Sequence, residues 1–224
     1  DRATSFPDEE NKEEALVYAC LKQELLSLQY MTGYKGYHET LLDYGLPSTL
    51  EKAQETRRRF HEVRPKVAKH GEYLDSVIRT QLLQGLRPCT IPLAVPGRSL
   101  KYWNVYAIQD RDFGKPSLRG VTDLTRKTAP EKMSNLWVGL LIENETQANS
   151  RDGYWDMALR ANNRIRILGG KLVLSVYDEV VFDTPRKHAE EGKAIVEQEF
   201  STAPAWAPGL PVATKAKFLE RYKK

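Results

Sequence analysis

The order of apolar and polar positions divides the chain into a helical first part and a mixed second part. From Lys12 to about Gln29 there is neither proline nor glycine, and Leu16, Ala19, Leu21, Leu25, Leu26 and Leu28 predict a mostly apolar helix. Gly33 and Gly36 are expected to end it, inside the aromatic run from Tyr30 to Tyr37. A short helix from His38 to about Tyr44 stops at Gly45 and Pro47. Ser48, with Glu51 three residues on, has the form of a capping box and opens a helix to about Val63. Pro65 breaks that helix, and another runs from Lys66 to about Leu83. Beyond Gly85 short β-like runs alternate with prolines, so strands are expected at 91–93 and 99–108, and the polar residues 110–132 as a surface excursion. A second long helix covers about 141–167. After Gly169-Gly170 the pattern becomes a hairpin, with Leu172, Leu174 and Val176 on one face and Val173, Ser175 and Tyr177 on the other. One more helix over 186–200, a rigid loop from Pro204 to Pro211 and a final strand from Val212 complete the prediction. Helices come first and an antiparallel sheet late, which is the α+β pattern.

Composition narrows the class. The 224 residues suffice for one large domain or two small ones with a buried core. With 41% hydrophobic and 29% charged residues the chain reads as globular. No apolar run approaches the roughly 18 residues a membrane span requires, the N-terminus has no signal-peptide pattern, and residues 1–10 read as a linker or tail. Cys20 and Cys89 have no metal-ligand spacing and allow one disulfide at most, so a reducing cytoplasm is the simpler expectation. The net charge of +4 is small, but basic residues cluster at Arg57-Arg58-Arg59, Arg64, Lys66 and Lys69 and again in the tail from Lys215 to Lys224. That is a weak signal for nucleic acid.

Chemistry concentrates in two places. Asp178 and Glu179 stand side by side between two runs of β-formers. A carboxylate pair there calls for compensation, and a divalent cation such as magnesium suits hard oxygen ligands. The plainer reading is a solvated hairpin tip. In the preceding helix Glu143, Gln147, Arg151 and Tyr154 recur at i, i+4, i+8 and i+11, along one stripe. Long hydrogen-bonding side chains so arranged can reach base edges in a minor groove. The plainer reading is a salt-bridged solvent face.

The succession of the two resembles the family A, DNA polymerase I-like enzymes of bacteriophage type. Their helix reading Glu-Asn-x-x-Gln-Ala-x-x-Arg-Asp is matched by Glu143, Asn144, Gln147, Ala148, Arg151 and Asp152, and their motif C by Val176-Tyr177-Asp178-Glu179-Val180. Trp206 to Val212 is similar to the family's C-terminal strand, and Pro96-Gly-Arg98 with Tyr102 to its Ser-Gly-Arg and tyrosine strand. Lys22, Leu26 and Tyr30 stand at the same intervals of four as the lysine, phenylalanine and tyrosine of the motif B helix. The likeness runs through nearly the whole chain from about residue 11. It implies fingers over 11–84 and part of a right-hand polymerase palm over 85–224. It implies DNA-directed nucleotidyl transfer on primer-template DNA with deoxynucleoside triphosphates. Asp178 would be the metal ligand, supported by Glu179, with Lys22 at the triphosphate, Leu26 and Tyr30 at the nucleotide, and Glu143, Gln147, Arg151 and Tyr177 at the DNA.

Four positions depart from that pattern: Tyr18 stands for the motif B arginine, Leu26 for its phenylalanine, Met31 for the glycine after the tyrosine, and Tyr177 for the motif C histidine. Motif A, with the second aspartate of a two-metal magnesium site, has no counterpart, since Asp43-Tyr44-Gly45 follows Lys22 and lacks the serine and glutamate. The expectation is therefore a C-terminal subunit or fragment, completed by a second polypeptide carrying motif A, the thumb and any exonuclease, in the cytoplasm of an infected bacterial host if the chain is viral. The other functional class is a non-catalytic DNA-binding or replisome-assembly protein that keeps a partial polymerase fold.

Overall fold

The computed structural model describes residues 12–109, 116–122, 133–176 and 178–220. Its elements are α1 (Lys12–Leu28), α2 (Tyr34–Asp43), α3 (Leu50–Val63), α4 (Pro65–Leu83), β1 (Cys89–Pro92), β2 (Ser99–Ile108), β3 (Ser117–Thr122), β4 (Ser134–Asn135), α5 (Val138–Ile167), β5 (Lys171–Val176), β6 (Glu179–Asp183), a 3-10 turn (Arg186–His188) and α6 (Ala189–Phe200). The fold is α+β. It forms two compact units, one of residues 1–91 with 100–145 and one of 92–99 with 146–224. That division follows a different line from the 84/85 boundary suggested by the sequence.

In the first unit, α1, α2 and α3 close over Leu28, Tyr37, Leu41, Leu46, Ala53 and Phe60. A second cluster joins Leu74 and Ile78 of α4 to Ile91, Tyr102, Val105 and Leu118 of the sheet and Leu141 of α5. The sheet order is β1-β2-β3-β4, with β3 antiparallel to both neighbours. This corrects the surface excursion expected over 110–132: within it, residues 117–122 are an interior strand with Leu118 and Val121 buried. Polar neighbours hide the strand in the sequence. Gly120 is also part of the reason, because a Cβ there would come within 2.7 Å of Leu136 Cδ1, so a residue that reads as a turn is required by close packing.

Helix boundaries follow their caps. The helix expected from Ser48 opens instead on Thr49, whose side chain accepts from the Lys52 amide at 3.2 Å. Ser48 Oγ is occupied by His38 Nδ1 at 3.0 Å. α1 ends before the expected glycines. Gly33 is the N-cap of α2 and Gly36 lies inside it. The α1 terminus is a Schellman motif: the Met31 amide donates to the Leu28 carbonyl and the Thr32 amide to that of Ser27. Met31 there takes φ +61°, a left-handed conformation that favours glycine.

In the second unit, the later turns of α5 pack with α6 and the β5–β6 hairpin around Met157, Ala158, Ala161, Ile165, Ile195 and Phe200. The hairpin is antiparallel but not regular. Leu172 pairs with Phe182 and Leu174 with Val181, so Val173 is a bulge residue. The predicted faces are therefore corrected: beyond the bulge Ser175, not Leu174, shares the inner face with Leu172, Val180 and Phe182. The strand expected from Val212 is not formed among the described residues. Val212 packs against the core, and residues 214–220 line, with β6, a cleft of about 1030 Å3 instead of pairing with that strand. No helix among the described residues is long and apolar enough to cross a membrane.

Candidate functional site

The motif-bearing residues of the first unit lie on α1 and at its end. Lys22 and Leu26 are exposed, as is Tyr18, on the same side of the helix. Tyr30 lies past the last helical residue, at the C-cap, half-buried against the sheet core. The spacing of four thus carries Lys22 and Leu26 on the helix and places Tyr30 at its closing turn. Gly139, in the first turn of α5, is what admits that turn, since a Cβ there would overlap the Tyr30 carbonyl oxygen. The outward side of α1 is unusually apolar. Val17, Leu21 and Leu25 are all about half exposed, whereas Gln23 and Ser27 are buried.

The motif on α5 splits between inward and outward side chains. Asn144 donates to the Tyr102 hydroxyl at 3.3 Å, and Glu145 pairs with His70 of α4. Burial pushes the Tyr102 hydroxyl up to about 12; the Asn144 hydrogen bond opposes this and the Glu145 charge adds to it. Glu143 is half-buried. In the second unit Gln147 and Arg151 point outward and are exposed, while Asn149 and Asp152 hold the loop that precedes β2. Asn149 Oδ1 accepts from the Ala94 amide at 3.0 Å, and Arg98 reaches Asp152 at 3.0 Å. The Asp152 side chain is only 10% exposed, and the Arg98 guanidinium is its ion-pair partner. Four side chains of this stretch, those of Asn144, Glu145, Asn149 and Asp152, thus serve as internal supports.

Asp178 occupies the turn of the β5–β6 hairpin and Glu179 opens β6, both exposed; Tyr177 lies outside the described residues. Tyr154, grouped by its spacing with the groove-facing stripe, is turned to the hairpin. Its hydroxyl donates to the Glu179 carbonyl oxygen and meets Ser175 Oγ, each at 2.9 Å. Only the bulge at Val173 brings Ser175 to that face, and alternation along the strand gave no sign of it. Asp178 and Glu179 are adjacent carboxylates among the residues lining the cleft along β6, as are Lys193 and Lys215. Such donors fit one edge of a magnesium shell. Among the described residues no three His, Cys, Asp or Glu side chains converge to complete one.

No protein-family model matches the chain. A DNA polymerase of Bacillus phage SP02 is 34% identical to it over 128 residues, which is 57% of this chain and 18% of the phage protein. The POL domain of Pol1 from M. smegmatis, solved in complex with DNA primer-template and dNTP, has the same fold over 89% of this chain and 29% of its own. The TM-score is 0.50 and the identity 18%. The chain therefore spans under a fifth of the phage relative and under a third of the solved structure. The chain is thus similar in sequence to a phage DNA polymerase over more than half of its length, and similar in fold to a polymerase domain over nearly all of it.

Proposed function

We propose that the chain is the C-terminal portion of a family A DNA-directed DNA polymerase. In this reading it brings the nucleotide helix α1 and the Asp178 turn to template-directed nucleotidyl transfer. The observation that carries the reading is the acid pair at an exposed hairpin turn, in a chain with sequence likeness to a phage DNA polymerase. Asp178 would hold the metal, and Glu179 would support it. Magnesium, when bound, would lower the barrier to phosphoryl transfer by neutralising charge on the phosphate oxygens. The ammonium of Lys22 offsets charge on the leaving pyrophosphate. Leu26 and Tyr30 provide apolar surface for the incoming nucleotide. Gln147 and Arg151 are long enough, and exposed enough, to hydrogen-bond minor-groove acceptors at the primer end, and Glu143 and Tyr177 are the further DNA contacts of this reading. The second aspartate, the thumb and any exonuclease come from polypeptide outside these 224 residues, in the expected form of a partner chain.

Primer extension with magnesium, using the chain together with a motif A-bearing polypeptide, tests this directly. Incorporation is expected, and Asp178→Ala should reduce it roughly a thousandfold or more. Undiminished incorporation by that variant would overturn the assignment. A second reading, DNA binding without catalysis, has Met31 in its favour: a side chain sits where the backbone of the nucleotide helix calls for glycine. Retained DNA binding with no incorporation in any assembly would establish it.

A further inference from the structure

We propose that Tyr154 is a positioning residue for the Asp178 turn, acting through a hydrogen-bonded chain that crosses the mouth of the hairpin. The inference rests on the metal-binding reading of Asp178 given above.

The direction of the chain follows from proton count. A tyrosine hydroxyl has one proton, and the Glu179 carbonyl oxygen can only accept, so that proton goes to Glu179 at 2.9 Å. Ser175 must then donate its own proton to Tyr154 Oη, also at 2.9 Å. The relay runs from Ser175 on β5 through Tyr154 on α5 to the backbone of Glu179 on β6. Its two hairpin ends flank Asp178. Fixing one strand on each side of a turn restricts the turn itself, and the two bonds polarise one another in the same sense.

Two further features show that the arrangement is built into the fold. The bulge at Val173 re-aims the strand so that Ser175 faces α5; bulges recur where a side chain must be redirected near a site. The Tyr154 ring is held edge-on by Trp155 and Phe200, with centroids at 5.6 and 5.9 Å, so the hydroxyl is carried on a rigid arm. Removing the hydroxyl alone leaves that packing intact, which makes Tyr154→Phe a test of the relay and not of the core.

The measurement is the broadening of the Asp178 and Glu179 amide resonances by Mn2+ alone, in the full 224-residue chain, with thermal unfolding recorded for every variant. Asp178→Ala should abolish the broadening. Tyr154→Phe should require about five- to tenfold more Mn2+ for the same effect, at an unfolding midpoint close to the parent's. Ser175→Ala should give a smaller shift, and the double variant no more than Tyr154→Phe by itself, because both changes cut one relay. If Tyr154→Phe responds as the parent does while Asp178→Ala does not, the positioning role is overturned and the metal reading stands. If Asp178→Ala also responds as the parent does, the metal reading fails and the role of Tyr154 with it. A loss of response that only tracks a loss of stability throughout the second unit makes Tyr154 structural and overturns the proposal.

Discussion

Helices α1 and α5 carry the candidate nucleotide and DNA contacts, and they are held in opposite ways. Along α5, polar side chains turn inward and are used: Asn144 on Tyr102, Asn149 on the Ala94 amide, Asp152 on Arg98, Tyr154 on the hairpin, and Asn162 on the Leu172 amide at 2.8 Å. On α1, apolar side chains turn outward while Gln23 and Ser27 are buried. The helix ends differ in the same sense. α2, α4 and α5 all close with the same pair of carbonyl contacts, and the left-handed position is glycine in each: Gly45, Gly85 and Gly169. α1 closes identically but places Met31 there. α5 is therefore fixed by its polar side chains, whereas α1 is held by its packing against α2 and α3 and by one strained turn.

The largest effect should come from the point where the α1 cap meets α5. Gly139→Val would force a side chain into the Tyr30 carbonyl, which is backbone and has little room to move. A loss of about 3 kcal/mol or more in urea denaturation is expected. A loss below about 1 kcal/mol would mean that the cap can lift away, and that Tyr30 is less firmly set than its packing implies. Gly33→Ala is the matched control, since a Cβ there meets nothing within 4 Å.

A smaller effect tests the anchoring of α5. The Tyr102 hydroxyl is raised to about 12 chiefly by burial, against 10.0 when solvated. A raised folded value means that the unfolded chain ionises first. The stabilisation is complete below pH 10 and is lost as pH rises through about 12, amounting to about 2 kcal/mol over that window. Tyr37, also pushed up to about 12 by burial and then by Glu24 and Cys20, shifts stability in the same direction. Tyr102→Phe should therefore flatten the alkaline loss without removing it. An unchanged slope between pH 10 and 12 would show that Tyr102 reaches solvent more easily than its burial indicates.

What the chain revealed in advance was what local chemistry controls. The run without proline or glycine from Lys12 marks α1, Pro65 falls at the first position of α4, and the acid pair of 178 and 179 sits at the hairpin turn where adjacent β-formers place it. Gln147 and Arg151 are outward, as their stripe requires. What stayed hidden depends on a partner element. β3 is interior because β2 and β4 flank it, not because its residues alternate cleanly. Ser175 faces α5 only because an extra residue enters β5, and Tyr154 left its stripe because that serine was there to receive it. Ser48 has the better capping side chain by type, but it is engaged by His38, and Thr49 caps the helix in its place.

The finest test bears on Met31. Its left-handed backbone costs about 1–2 kcal/mol relative to a glycine in the same place. Its side chain, however, is partly buried against the sheet core and contributes about 1 kcal/mol there. Replacement by glycine relieves the first and forfeits the second, so Met31→Gly should change stability by less than about 1 kcal/mol. Met31→Ala keeps the backbone strain and forfeits most of the packing, so it should be the worse variant by about 1 kcal/mol, the reverse of the usual order inside a helix. Gly169→Ala, at the matching position of α5, should lose about 1 kcal/mol for the same backbone reason. Should alanine prove better than glycine at position 31, the α1 turn relaxes out of the left-handed region in solution. The contrast between the two helices would then rest on their side chains alone.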